Sequence, residues 1–176
     1  MARGHANGWH SRARPKQMHS WVMDDYAAVL AMLNRTWFGA ELAPQTQERL
    51  VRLGNIADFE PDEVVVREGD LSDEFGILLS GRLALQMMVP GQGMITIMSV
   101  EPGDVFGWSS VLANMQTQST VVASEPSRAL VLDATKLRAE LREDHALAAS
   151  LYPRVLAAVA RRLRATRLQL LDLFER

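Results

Sequence analysis

Hydrophobic and polar residues follow two different periods along this chain. In residues 24–34 and again in residues 44–56, apolar side chains recur every three or four positions, which is the period of an amphipathic helix. Pro44 fits the first turn of the second segment. The pattern therefore predicts two helices, with Trp37 on the apolar face of the first and Ile56 on that of the second.

After Phe59 the pattern changes to short apolar runs separated by glycine, proline and acidic residues. Such runs are typical of β-strands, and the sequence Pro-Gly-Gln-Gly at 90–93 predicts a hairpin between two of them. About eight strands at this spacing predict a mainly β domain with flanking helices, a double-stranded β-helix or jelly-roll-like β-roll. The predicted strands include residues 64–66, 75–79, 83–89, 94–100, 105–106, 120–123 and 129–132.

Two further helices are predicted after the last strand. Asp133 and Asp144 are suitable N-caps for helices over residues 134–141 and 145–174. Pro153 lies inside the second helix and predicts a kink or a break one turn earlier, because proline removes a backbone donor.

Beyond that proline, mostly apolar residues repeat every seven positions, which predicts a seam between two parallel helices. We therefore predict a homodimer through this long helix. The alternative is a helix that packs only on its own roll, and a second apolar set at Leu151, Val155, Leu168 and Leu171 would serve that contact. The predicted dimer-interface residues are Leu156, Val159, Leu163, Thr166, Leu170 and Leu173.

Composition narrows the class of protein. The chain has 176 residues, 48% of them hydrophobic, which suits one domain with extensions and a sizeable core. Its net charge of −2 is unlike that of a general nucleic-acid binder. The absence of cysteine excludes disulfides and thiolate metal sites and fits a cytoplasmic location. No apolar run reaches the roughly 18 residues of a membrane-spanning helix, so no membrane contact is expected.

The first 23 residues carry positive charge and no acid before Asp24. This predicts a flexible basic arm, whose histidines at positions 5, 10 and 19 match no helical pair of metal ligands, so no metal site is expected. The predicted organisation is an arm at 1–23, helices at 24–58, a β-roll at 59–132 and C-terminal helices at 133–176.

A glycine-centred segment at residues 102–123 carries the candidate chemistry. Gly107 is followed by Ser109 and a second serine, and Ser119 stands at the head of the next strand. Glycine lets backbone N–H groups approach a ligand closely, and the first amides of a short helix after it are suited to phosphate. The alternative is a turn and a capped helix that bind nothing.

Four stretches carry a resemblance to a known family. They are Val-Arg-Glu-Gly-Asp at 66–70, Leu-Ser-Gly-Arg at 79–82, Pro-Gly-Asp-Val-Phe-Gly at 102–107 and Ala-Arg-Arg-Leu-Arg-Ala-Thr at 160–166. In this order they resemble the cyclic-nucleotide-binding domain of the catabolite-activator and fumarate/nitrate-regulator superfamily, over residues 43–174. The resemblance implies a β-roll that holds a nucleotide against a long helix, which also pairs two subunits.

The resemblance also implies roles for individual residues. Gly107 stands at the position whose backbone N–H groups bind the cyclic phosphate, and Ser109 follows it closely. Ser119 matches the hydroxyl beside the phosphate-binding arginine, and Thr166 matches the hydroxyl on the long helix that reads the base.

Two positions depart from the family's pattern. Trp108 stands where the family has the glutamate that binds the ribose hydroxyl, and an indole N–H can only donate. Gln118 stands where the family has the phosphate-binding arginine, and it carries no charge. Arg67 and Arg82, on neighbouring strands, are alternative sources of positive charge. The sequence therefore predicts weak binding of cyclic AMP and cyclic GMP, or a pocket that Trp108 fills.

These features predict a stand-alone homodimeric sensor or regulatory protein that binds a cyclic nucleotide or another small anionic ligand and acts on an unidentified downstream protein. One alternative is a ligand-free dimerisation or protein-interaction module. Another is a nucleic-acid accessory using the arginines at 154–167, although such a run more often forms a solvated face. Because the chain ends with the long helix, no DNA-binding domain is expected. No catalytic constellation stands out, so no enzyme is predicted.

Overall fold

The protein consists of two antiparallel sheets with flanking helices, as seen in a computed structural model. The structure describes residues 18–19, 23–71, 73–112 and 116–174. The strands are β1 (Met18–His19), β2 (Gly54–Phe59), β3 (Val64–Val66), β4 (Glu74–Ser80), β5 (Leu83–Val89), β6 (Gly93–Val100), β7 (Val105–Phe106), β8 (Thr120–Ala123) and β9 (Ser127–Asp133). The helices are α1 (Met23–Arg35), α2 (Trp37–Ala40), α3 (Pro44–Leu53), α4 (Ser109–Leu112), α5 (Ala134–Glu143) and α6 (His145–Phe174).

The sheets form the predicted β-roll. One has the strand order β1-β2-β9-β4-β7 and the other β3-β8-β5-β6, with every pairing antiparallel. The connection between β5 and β6 is the predicted hairpin, in which Val89 pairs with Gly93. The mainly β fold with a long C-terminal helix is therefore confirmed.

Strand β9 is buried on both faces. Leu130 and Leu132 pack in a cluster with the helices, whereas Ala129 and Val131 pack in a second cluster inside the roll. Successive side chains of a strand point to opposite faces, so a strand covered on both sides is apolar at every position. This double burial explains why the central strands were recognisable as continuous apolar runs.

Two helix boundaries differ from the prediction. The helix α3 ends at Leu53, and Ile56 belongs to β2, where it pairs with Leu130 of β9, because pairing with β9 begins directly at Gly54. Trp37 lies outside α1 and begins α2, where Thr36 provides the N-cap: its Oγ1 accepts a hydrogen bond from the N–H of Gly39 at 2.9 Å.

Two residues of the segment predicted as an arm belong to the sheet. Met18 pairs with Ala57 and His19 with Ile56, both in β2. Residues 1–17 and 20–22 of that segment lie outside the described residues.

The long helix α6 runs through Pro153 without interruption, so the predicted break does not occur. Leu151 and Val155, on either side of the proline, are buried in the helical cluster, which stabilises the helix at this point. The second apolar set was predicted to pack on the roll, and this prediction is confirmed only for Leu151 and Val155. Leu168 and Leu171 are 57% and 59% exposed. No helix in the described part of the chain is long and apolar enough to cross a membrane.

A run of arginines such as that at residues 154–167 usually forms a solvated face, but in α6 only some of these side chains face solvent. The Arg154 side chain is only 12% exposed; its Nε donates to the Phe38 carbonyl at 3.2 Å, and its other nitrogens bind the Trp37 carbonyl and the Glu41 carboxylate. The Arg161 guanidinium lies 4.5 Å from the centroid of the Trp37 ring. These contacts attach α6 to α2.

Replacing Arg154 with methionine should lower the free energy of unfolding by about 2–3 kcal/mol, because a charged donor is lost from partly buried acceptors. Urea denaturation measures the change. The matched control is Arg164→Met on the exposed side of the same helix, which should change stability by less than about 0.5 kcal/mol. Equal losses in the two variants would contradict the attachment described here.

Candidate ligand-binding site

A cavity of about 340 Å³ lies between the four-stranded sheet, the turn at Gly107 and α6. This volume falls within the range of small-molecule sites in proteins. Its walls include Leu85 and Val121 on the sheet side and Phe106 at the turn. All the residues that the sequence singled out for ligand binding line this one cavity: Gly107, Trp108, Ser109, Gln118, Ser119 and Thr166.

The turn at Gly107 follows β7, which pairs with β4 through Phe106 and Gly76. Gly107 has a φ of 64°, in the left-handed region where only glycine is unstrained. The helix α4 that follows is a single turn of four residues. So short a helix has little macrodipole, so the predicted phosphate cradle depends on individual N–H groups rather than on a helix terminus.

The two serines after this turn have different environments. Ser110 is fully buried, and its Oγ lies 2.6 Å from the carbonyl oxygen of Gly107 and 3.1 Å from that of Glu74 in β4. Ser109 is partly exposed and lines the cavity. Ser110 therefore holds the turn on the sheet, while Ser109 remains available to a ligand.

The second side of the cavity is the segment that leads into β8. It is fixed by the Glu-Gly-Asp turn of the first recognised motif: the Gly69 N–H donates to the Thr117 carbonyl, and the Thr117 N–H to the Asp70 carbonyl, each at 2.9 Å. The neighbouring Gln118 is exposed, and Ser119 is partly buried. This first motif therefore shapes the cavity through its backbone.

Trp108 lines both the cavity and a smaller cleft of about 140 Å³ beside α6. Its side chain is partly buried and packs against the helical cluster. Trp108 therefore lies between the two spaces, and it does not fill the larger cavity.

Arg162 of α6 also lines both spaces, and sequence reasoning did not place it there. Burial lowers the pKa of its guanidinium, while the Asp104 carboxylate acts in the opposite direction. Neither Arg67 nor Arg82, the alternatives considered from the sequence, lines the cavity, and Arg82 is paired with Glu101 at 2.9 Å. The sequence does contain one indication that Arg162 lies at the cavity. It precedes Thr166 by four residues, so the two share a helix face.

The predicted dimer seam divides into two kinds of residue. Leu156 and Leu163 are 69% and 51% exposed, whereas Val159 and Thr166 are partly buried. Thr166 lines the cavity, and its Oγ1 donates to the Arg162 carbonyl of the preceding turn at 3.1 Å. The side chains of Leu170 and Leu173 lie outside the described part of the chain.

Comparisons with known proteins identify the family and the fold. A family model described as the cyclic nucleotide-binding domain matches residues 56–144. Among solved structures, a cyclic nucleotide-binding domain from Methylobacillus flagellatus KT is similar in fold, with a TM-score of 0.73 and 22% identity over 85% of this chain and 84% of that one.

Two similar proteins are enzymes, and this chain matches only a part of each. A mutant of a cAMP-binding acyltransferase from Mycobacterium smegmatis has a TM-score of 0.61 and 26% identity, covering 80% of this chain and 42% of that chain. The acetyltransferase Pat of Mycolicibacterium smegmatis is 34% identical over 100 residues, which are 57% of this chain and 29% of the acetyltransferase. The chain thus spans less than a third of the length of this curated relative.

Replacing Ser110 with alanine should lower the free energy of unfolding by about 1–2 kcal/mol, because the hydrogen bond that its buried hydroxyl donates is lost. The matched control is Ser109→Ala, which removes a hydroxyl from the cavity wall and should leave stability nearly unchanged. Thermal or urea unfolding of the two variants makes the comparison. A larger loss in the Ser109 variant would reverse the assignment of the two serines.

Proposed function

This chain belongs to the cyclic nucleotide-binding domain family, and we propose that it is a regulatory domain that senses a small ligand in the cavity beside α6. The observation that carries the proposal is the convergence on one cavity of the Gly107 turn, the Ser119 segment and Thr166 of the long helix. We propose these residues, with Trp108, Ser109 and Gln118, as the ligand-binding set.

The helix α6 is suited to transmit ligand binding. Its first half is held by buried Leu151 and Val155, while Thr166 in its second half contributes to the cavity wall. A ligand that contacts Thr166 favours the arrangement of α6 in which that contact forms. We propose that this shift is passed through the seam on the same helix to a second copy of the chain, and from the dimer to a downstream protein.

The binding set is atypical for cyclic AMP and cyclic GMP. Trp108 and Gln118 replace a carboxylate and a guanidinium, each of which would form a charged hydrogen bond worth about 1.5–3 kcal/mol. The loss of both, about 3–6 kcal/mol, weakens binding about 150-fold to 25,000-fold, so a Kd of about 1 μM becomes one between about 0.1 mM and tens of millimolar. We therefore propose a sensor in which these two nucleotides bind weakly.

A second candidate function is a dimerisation or protein-interaction module that needs no ligand. It is favoured by the exposure of Leu156 and Leu163, two apolar side chains seven residues apart on α6. Under this alternative Trp108 serves to fill space, and ligand binding has no effect on assembly. In both cases we propose that the domain itself has no catalytic activity and lies in the cytoplasm.

Cyclic AMP and cyclic GMP should bind the unmodified protein no more tightly than about 100 μM, measured by calorimetry. The double change Trp108→Glu with Gln118→Arg should raise the affinity, because it restores both charged contacts. A control, Gln92→Arg on the exposed hairpin, adds the same positive charge elsewhere and should not. Sub-micromolar binding by the unmodified protein would contradict the argument from the two substitutions.

The protein should be a dimer that Leu163→Asp converts to a monomer, because the charge would be buried in the seam. Light scattering measures the mass. The matched control is Leu168→Asp, which changes a similarly exposed leucine on the same helix outside the seven-residue repeat and should leave the dimer intact. A monomeric parent, or an unchanged mass for Leu163→Asp, would rule out this interface.

A further inference from the structure

Arg162 differs from the other arginines of α6 in its surroundings. Arg154 pairs with Glu41, and Arg161 lies over the Trp37 ring, while Arg164 and Arg167 are exposed. Within the described part of the chain, Arg162 forms no salt bridge. Its one contact of hydrogen-bond type is a long one, 3.4 Å from Nη2 to the Val105 carbonyl oxygen.

The Asp104 carboxylate acts on this guanidinium but forms no salt bridge with it in the described part of the chain. Asp104 raises the pKa of Arg162, but the effect of burial, which lowers it, is larger. The Asp104 carboxylate already accepts hydrogen bonds from the Trp37 indole at 3.3 Å and from the Glu101 N–H at 3.0 Å. An arginine stays protonated in proteins, so a partly buried positive charge with unused donors remains on the side chain that lines both the cavity and the smaller cleft.

The cavity wall has no other charge among the residues that the structure describes. Its uncharged polar side chains are the hydroxyls of Ser109, Thr117, Ser119 and Thr166 and the amides of Gln116 and Gln118. A buried cation is stabilised when an anion pairs with it and forms its hydrogen bonds. Hydroxyls and amides around a guanidinium are well suited to a bound phosphate or carboxylate.

We propose that Arg162 binds the anionic group of the ligand, so that the positive charge missing at Gln118 is supplied from the long helix instead. This rests on the proposed function and specifies its ligand class: a small organic phosphate or carboxylate whose apolar part packs against Trp108 and the sheet. The guanidinium fork suits such an oxyanion because it can donate two parallel hydrogen bonds.

The position of Arg162 has a consequence for signalling. The ligand's charge is held by α6 itself, one turn before Thr166, rather than only by the loops of the roll. The charge of the ligand then contributes directly to the free energy that positions the helix. An uncharged molecule of the same shape fills the cavity but lacks this contribution.

The test compares a charged and an uncharged ligand on matched variants. Cyclic AMP, adenosine and inorganic phosphate are titrated to millimolar concentrations at constant ionic strength, and binding is followed by NMR, including the Arg162 Nε–H signal. In Arg162→Gln the affinity for cyclic AMP should fall at least tenfold, while that for adenosine should not change. Arg162→Lys should retain part of the affinity, and the control Arg164→Gln should retain all of it.

The outcomes separate this inference from the proposed function. If Arg162→Gln binds cyclic AMP as the parent does, the anion site is wrong and the proposed function stands. If phosphate binds through Arg162 but neither cyclic AMP nor adenosine binds, the anion site stands and the ligand is an organic anion without an adenosine group. If the parent binds none of the three probes, the anion site is wrong, while the proposed sensor of another small ligand stands.

A melting curve without ligand distinguishes an anion-binding role from a structural one. Removing a partly buried, unpaired cation should leave the melting temperature of Arg162→Gln equal to that of the parent or raise it. A fall of several degrees, accompanied by weaker binding of adenosine as well, would show that Arg162 supports the fold, and would overturn the proposal.

Discussion

The attachment of α6 to the helices beside the roll determines where the rest of the site lies. Leu151 and Val155 are buried in the helical cluster, and Arg154 binds the carbonyl groups of α2 from the same stretch of helix. Because an α-helix is rigid over a few turns, these contacts fix the faces of the following turns. They thereby place Arg162 and Thr166 on the wall of the cavity.

The roll contributes the opposite wall by backbone geometry more than by side-chain chemistry. The positive φ of Gly107 and the hydrogen bonds between Thr117 and the turn at Gly69 and Asp70 set the shape of two loops. Such loop shapes are compatible with many side chains, so the binding set can change while the cavity remains. Trp108 and Gln118 are examples, because their side chains line the same cavity as the hydroxyls of Ser109 and Ser119.

The sequence was sufficient for the fold because strands such as β9 are apolar on both faces and glycine turns separate them. It was insufficient where the local pattern and strand pairing favour different structures. Ile56 has the spacing of the apolar face of α3, but the chain there already pairs with β9. It also failed for the arginines of α6, because charge alone does not reveal burial. Arg162 becomes a candidate only when the cavity is seen beside it.

The central claim is that this cavity holds a small anionic ligand between the Gly107 turn and α6. A crystal structure of the protein grown with a saturating concentration of cyclic AMP tests it most directly. We expect density for the nucleotide between Gly107, Ser119 and Thr166, with its phosphate within hydrogen-bond distance of the Arg162 guanidinium. Density for the Trp108 ring filling the cavity, or a phosphate bound away from Arg162, would contradict it.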